Sequence, residues 1–403
     1  MGKAIELLAP AGDMERLQMA VAYGADAVYL AGHMYGMRSF AGNFSSEELA
    51  QAVKLCRSHG VKVHVTCNTM PRNEETEKLP DYLAFLEAQG VDALIVGDVG
   101  VLALAKRYAP SLPIHMSTQI GITNYAAARF WYDQGAKRVI LARELSLEEI
   151  RDLRARTPKE LEIEAFVHGA MCVSYSGRCV LSNYMAHRDA SRGSCAQPCR
   201  YKYALMEEQR PGEFFPVEED DRGTYIFNSK DMCMIDHIPE LLEAGLDSLK
   251  IEGRAKSAYY AAIVTGAYRH GVNAALRGET LDPVWRSELD KVSHRPYSEG
   301  FYYGHPEQYV GDSRYIRDWQ VSAMVTSCAS DGRAVCSLRN KFHRGETLEL
   351  VGPGILPVSF PVEDLADENG FPIEEARTPQ MALRLTLPCQ APPLSILRKQ
   401  VSP

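Results

Sequence analysis

"LLAPAGDMERLQMAVAYGADAVYL", Leu7 to Leu30, packs a strand, a helix and a second strand into one short stretch. The first apolar run lacks polar alternation, the pattern of a strand buried on both faces. Asp13 is a helix-opening residue, amphipathic spacing follows, and Gly24 closes the helix. "DAVYLA" then reads as another buried strand. Two strands joined through a helix run parallel.

The same unit recurs along the chain. "SSEELAQAVKLCRSHG" is a capped helix leading into "VKVHVTCN". "LPDYLAFLEAQG", "DALIVGD", "GVLALAKRYAP", "LPIHMSTQ", "NYAAARFWYDQG", "KRVILARE" and "SLEEIRDLRART" continue the alternation. It closes with "LEIEAFVHG", "DHIPELLEAG", "DSLKIEG" and "AYYAAIVTGAYRHGV". Eight strand–helix units predict an α/β fold, a (β/α)8 TIM-like barrel. An open doubly wound sheet is the runner-up, but no GxGxxG follows any strand.

The reading divides the chain into a barrel over 1–275, a helical and aromatic connector over 276–318, and a small C-terminal β-barrel over 319–403. The last rests on short alternating strands separated by turn signals. After strand 7 the regular spacing breaks, and a cysteine-rich insertion is expected at 170–235. Loops after barrel strands emerge on the catalytic face.

Of ten cysteines in 403 residues, Cys172, Cys179, Cys195 and Cys199 lie in this insertion, with Cys233 at its far end. There is no apolar leader and no apolar run of ~20 residues. A cytoplasmic protein with no membrane partner is expected, where clustered thiols bind metal or do chemistry rather than form disulfides. Thiolates in fours suit a [4Fe–4S] cluster or zinc. Cys56, Cys67, Cys328, Cys336 and Cys389 read as packing residues. The net charge of −8 excludes a generally basic nucleic-acid coat. Between Cys172 and Tyr203, however, Arg178, Arg188, Arg192, Arg200 and Lys202 face one acid, Asp189. That segment is either a solvated basic loop or a phosphate-binding patch.

"LLAPAGDMERLQMAVAYGADAVYL", "HMSTQ", "EAFVHGAMCVSYSGRC", "NSKDMCMIDHIPEL" and "DSLKIEGRAKSAYY" resemble the collagenase-like peptidase family U-32 over nearly the whole chain. The resemblance implies a [4Fe–4S] cluster held by Cys172, Cys179, Cys195 and Cys233, with Cys199 as a possible substitute. A barrel followed by one compact β domain carrying "NKFHRGETLEL" is similar to the tRNA uridine hydroxylase branch. That branch implies 5-hydroxyuridine at the wobble position, tRNA bound through its anticodon region, prephenate as hydroxyl source, and an electron-transfer partner not yet identified. The alternatives are a U-32-type peptidase, or hydroxylation of rRNA or of a quinone precursor.

Prephenate, a dicarboxylate, calls for cationic partners. Arg38, Arg143, Lys250 and Arg254 lie near strand ends at the mouth, Arg178 between two proposed ligands. Catalytic roles are expected for Arg143, Lys250, Glu252 and Arg254. Substrate contacts are expected for Arg38, His115, Ser117, Gln119 and Arg178, with Thr118 beside them. Ion pairing with Glu144 or Glu252 is the structural alternative. Arg333, Arg339, Lys341, His343 and Arg344 crowd one hairpin region and are expected to help dock RNA. No HExxH, GxSxG or recognisable Cys–His dyad supports a peptidase mechanism.

Overall fold

The computed structural model describes residues 5–36, 42–172, 174–200, 229–306 and 315–401, and the short strands at 205–206, 214–215, 219–220 and 223–224. Eight parallel strands form the barrel: β1 Glu6–Pro10, β2 Ala27–Leu30, β3 Lys62–Cys67, β4 Ala93–Val96, β5 Ile114–Met116, β6 Arg138–Ile140, β7 Glu162–Ala170 and β8 Ser248–Ile251. Each pairs with the next, and β8 also pairs with β1, Leu249 opposite Leu7, which closes the ring.

Helices follow the strands: α1 Met14–Ala22, α2 Ser46–Ser58, α3 Leu79–Gln89, α4 Val99–Tyr108, α5 Tyr125–Asp133, α6 Leu147–Ala155, α7 Ile238–Glu243 and α8 Ala258–Arg277. Their starts follow local chemistry. Asp13, Asp98, Asn124 and Ser257 accept from backbone N–H groups of the first turn, while Ser45–Glu48 and Ser146–Glu149 form reciprocal capping boxes. The helices cover a core in which Leu7, Leu8, Leu30, Val65 and Leu94 are fully buried.

β7 departs from the expected pattern. It runs past the barrel rim, where Gly169 adopts φ +107°, and there pairs antiparallel with a short strand, Asp231–Cys233. The insertion therefore leaves and re-enters the barrel at one place.

The C-terminal region is an antiparallel β domain. Its strands are β9 Trp319–Cys328, β10 Arg333–Leu338, β11 Thr347–Gly352, β12 Ile355–Pro361, β13 Ala366–Asp367, β14 Ala382–Thr386 and β15 Ile396–Gln400. They pair in the order β12-β11-β15-β9-β10-β14-β13 around a core of their own, including Val325, Cys336, Phe342 and Leu350. The domain is fastened to the barrel by charge. Fully buried Arg398 donates to Glu288 at 2.6 Å and to the Tyr259 hydroxyl at 2.8 Å, and Lys291 reaches Glu349 at 2.9 Å. Arg339 reaches Glu15 on α1 at 2.6 Å.

Candidate active site at the barrel mouth

The barrel interior has a charged floor. Arg138 at the start of β6 bonds Glu162 at 2.8 Å and Glu164 at 2.9 Å, and also reaches Glu6 on β1. Glu164 in turn accepts from Lys250 at 2.8 Å. Burial would raise the Glu6 carboxyl, but Arg138 outweighs it and holds the group down at about 2. His64 and His115 stack edge-on above this network with centroids 4.8 Å apart. Burial drives His64 down to about 4 and His115 well below the ordinary imidazole value, so both are neutral.

One layer nearer the strand C-termini, Tyr29, Thr66, Ser117, Gln119, Arg143, Lys250, Glu252 and Arg254 line a cavity of about 90 Å³. Arg254 is buried and donates to the Thr66 hydroxyl at 3.1 Å. The Arg143 guanidinium lies 3.9 Å from the Phe166 ring centroid and donates to the Ala170 carbonyl at 2.9 Å. No carboxylate among the described residues pairs with it. Glu252 accepts from the Tyr29 hydroxyl at 3.1 Å.

The cysteine-bearing insertion is clipped onto this rim at three barrel loops. Glu144 accepts from the Ser176 N–H at 2.8 Å, Arg192 pairs with Glu75 at 2.7 Å, and the Met70 N–H donates to the Ser191 carbonyl. At the third loop Gly177, with φ +73°, lies so close to the β5 loop that a Cβ would stand 1.8 Å from the Gln119 carbonyl oxygen. Only glycine suits that position. The clip leaves Cys172, Cys179, Cys195 and Cys199 around a cavity of about 140 Å³, whose wall also includes Gln119 and Arg143. A third cavity, of about 290 Å³, is lined by Cys172, Cys195, Cys199, Arg143 and Glu252 together with Lys256, Tyr315 and Arg317. Arg143 lines all three.

Several expected site residues lie elsewhere. Cys233 is not brought to the thiol cavity. Its pairing with β7 buries it beside Tyr268 of α8, and burial pushes its thiol up to about 11. His115 belongs to the histidine pair above the floor and does not line the mouth, because its strand position turns it into the barrel interior. Arg178 is exposed and lines none of these cavities. Lys250 reaches the mouth, yet its ammonium is tied to Glu164. Arg38 lies outside the described residues. In the β domain, Arg339 is engaged by Glu15 and Lys341 by Glu375, while His343 stands 3.9 Å from Glu375. Arg333 pairs with Asp331 and Arg344 with Glu374. These pairs leave the hairpin less cationic than its sequence suggests.

Sequence reasoning missed Lys256, Tyr315 and Arg317. Lys256 was in view, two residues after Arg254 in "GRAKS"; the other two sit in the connector, where nothing local marks them as mouth residues.

A closed barrel whose strand C-termini gather thiols and cations around adjoining cavities has the architecture of an enzyme. Residues 12–312 match Peptidase family U32 and residues 317–398 match the Peptidase family U32 C-terminal domain, and the chain belongs to this family. It is 39% identical over 98% of its length to tRNA hydroxylation protein P1 of Bacillus subtilis, covering 95% of that protein. It is 36% identical over 91% of its length to tRNA hydroxylation protein P of Escherichia coli, covering 90% of it. An uncharacterized protease, MJ0090 of Methanocaldococcus jannaschii, is 40% identical over 86% of this chain and 87% of its own. No helix among the described residues is long and apolar enough to cross a membrane.

Proposed function

We propose that this protein is an RNA-modifying hydroxylase that acts on tRNA and converts an anticodon-loop uridine to 5-hydroxyuridine. The observation that carries the reading is the convergence on Arg143 of a cation-lined barrel mouth and a thiol-lined cavity. The names of the Bacillus and Escherichia relatives support the substrate class. An anticodon loop offers unstacked bases without the cost of opening a duplex.

The donor set fits an iron–sulfur cluster. Thiols are soft ligands, and four line one cavity. No group of three or more His, Cys, Asp or Glu among the described residues could hold a single metal ion. The choice of a [4Fe–4S] cluster over zinc follows the family resemblance. Cys172, Cys179 and Cys195 are the ligands on which the cavity and the family resemblance agree. For the fourth place the resemblance implies Cys233 and the cavity offers Cys199. When bound, the cluster supplies electron transfer or substrate activation. Replacing Cys199 and Cys233 separately by Ser and measuring the iron and sulfide of anaerobically isolated protein assigns the fourth ligand. Full iron after loss of Cys172, Cys179 or Cys195 contradicts a cluster here.

The chain's own side chains account for binding. Arg143 and Arg254, which line the mouth cavity, would hold the carboxylates of prephenate, the proposed hydroxyl source. Glu252, oriented by Tyr29, faces the same space. Lys250, paired with Glu164, adds positive potential from below rather than acting as a base.

A peptidase reading gains no activated nucleophile from Cys233. Among the described residues Cys233 stands opposite His168 in register. Burial, however, pushes the thiol up and the imidazole well below its ordinary value. Such a pair stays neutral, whereas a cysteine nucleophile needs its thiolate.

Nucleoside analysis of tRNA from a strain lacking this gene tests the function. Loss of 5-hydroxyuridine and its derivatives is expected, restored by the wild-type gene. Unchanged nucleosides in the absence of a paralogue contradict it.

A further inference from the structure

The cavity of about 290 Å³ is roughly three times the volume of the mouth cavity, and its composition differs. Its lining combines Cys172, Cys195 and Cys199 with Lys256, Tyr315 and Arg317. Tyr315 is half-buried, with the Lys256 ammonium 3.8 Å from its ring centroid and the Arg317 guanidinium 5.8 Å away. Lys256 is anchored by the Ser293 carbonyl at 2.9 Å, and Arg317 Nε donates to the Ser293 hydroxyl at 3.2 Å. Arg317 is exposed and has no carboxylate partner among the described residues. Glu252 is the acid in the lining beside Arg143 and Arg317, while Lys256 also stands 3.9 Å from buried Asp231.

We infer that this cavity receives the target nucleotide of a single-stranded RNA loop, with Tyr315 as the stacking surface for a base and Arg317 and Lys256 on the adjoining phosphates. The inference rests on the RNA-hydroxylase reading and adds the residues that place the substrate. An aromatic ring flanked by cations is how proteins hold unpaired nucleotides: the ring takes any base face and the cations follow the backbone. The mouth cavity is too small for a nucleotide and suits the end of a carboxylate-bearing co-substrate. The larger one holds a base beside the thiols, within reach of Arg143, which both cavities share. The sequence region concerned, residues 315–317, joins the barrel to the β domain. The connector is therefore part of the site and not only a linker.

The test is the binding of a fluorescent anticodon stem-loop RNA to full-length, anaerobically prepared protein across a range of salt concentrations. Tyr315→Leu is expected to weaken binding about tenfold with an unchanged salt slope, since stacking is not ionic. Tyr315→Phe keeps the wild-type affinity. Arg317→Gln is expected to weaken binding and to lower the slope of log K against log salt by about 0.7, the loss of one single-strand phosphate contact. Arg317 is exposed, so its variant tests the inference without disturbing the fold. Wild-type RNA affinity in both Tyr315→Leu and Arg317→Gln overturns the inference, as does an Arg317→Gln defect confined to prephenate dependence. The underlying reading fails by a different result, namely no hydroxylated uridine in tRNA made in the presence of the wild-type protein.

Discussion

Arg138 and Arg143 bracket the same barrel strand, and their surroundings are opposite. Arg138 sits at the bottom, 3% exposed, facing Glu6, Glu162 and Glu164. Arg143 sits at the top on an aromatic ring, donates to one carbonyl, and opens onto three cavities. The floor uses charge to satisfy charge, so nothing there is left to meet a ligand. The mouth holds its cation by packing and a backbone contact, which leaves the guanidinium face suited to an anion that arrives from outside. What separates the two arginines is whether the fold supplies carboxylates to meet them.

The largest effect is expected for Arg138→Met, which removes the cation that Glu6 and Glu164 share and leaves Glu164 to Lys250 and Glu6 to Lys62 at 3.6 Å. A loss of about 3–5 kcal/mol of unfolding free energy, read by chemical denaturation, is expected. A loss below about 1 kcal/mol would show that the floor is not held by this network.

The floor also predicts an acid limit. Folded His64 protonates only near 4, whereas its unfolded counterpart does so near 6.5. Between those values the unfolded chain binds the extra proton, so stability is full above about pH 6.5 and falls as pH drops toward 4. Glu6, held at about 2, extends the loss below the ordinary carboxylate range. His64→Gln should flatten the upper part of that decline by up to ~3 kcal/mol. An unchanged pH profile of denaturation midpoints contradicts the assignment.

Smaller still is Gly177→Ala. Its Cβ meets the Gln119 carbonyl and its backbone is left-handed, a local cost of about 1–2 kcal/mol. The barrel should melt almost as in the wild type while the insertion detaches and anaerobically isolated protein loses iron. Retained iron would mean that the clip at Gln119 does not position the thiols.

The barrel was legible because each strand is a short apolar run and the helix starts carry their own caps, both local properties. The cysteine insertion was legible as an interruption of that rhythm. The direction of individual side chains was not. "DMCMID" is apolar on both faces, and only its antiparallel pairing with the overrun of β7 decides that Cys233 turns toward Tyr268. Likewise "KRVILARE" shows two arginines, but their division between floor and mouth depends on carboxylates of β1 and β7 brought together by closure of the barrel. Arg339 and Lys341 looked like free cations because Glu15 and Glu375 are distant in sequence. Tyr315 and Arg317 met Lys256 only through tertiary packing.

If Arg143 holds the co-substrate in the mouth while the floor holds the barrel, removing its charge abolishes activity and spares the fold. The direct measurement is mass spectrometry of tRNA nucleosides from a gene-deletion strain carrying Arg143→Gln, alongside the melting temperature of the purified variant. No 5-hydroxyuridine is expected, with a stability change within about 1 kcal/mol. Wild-type levels of the modified nucleoside in that strain would contradict this role of Arg143.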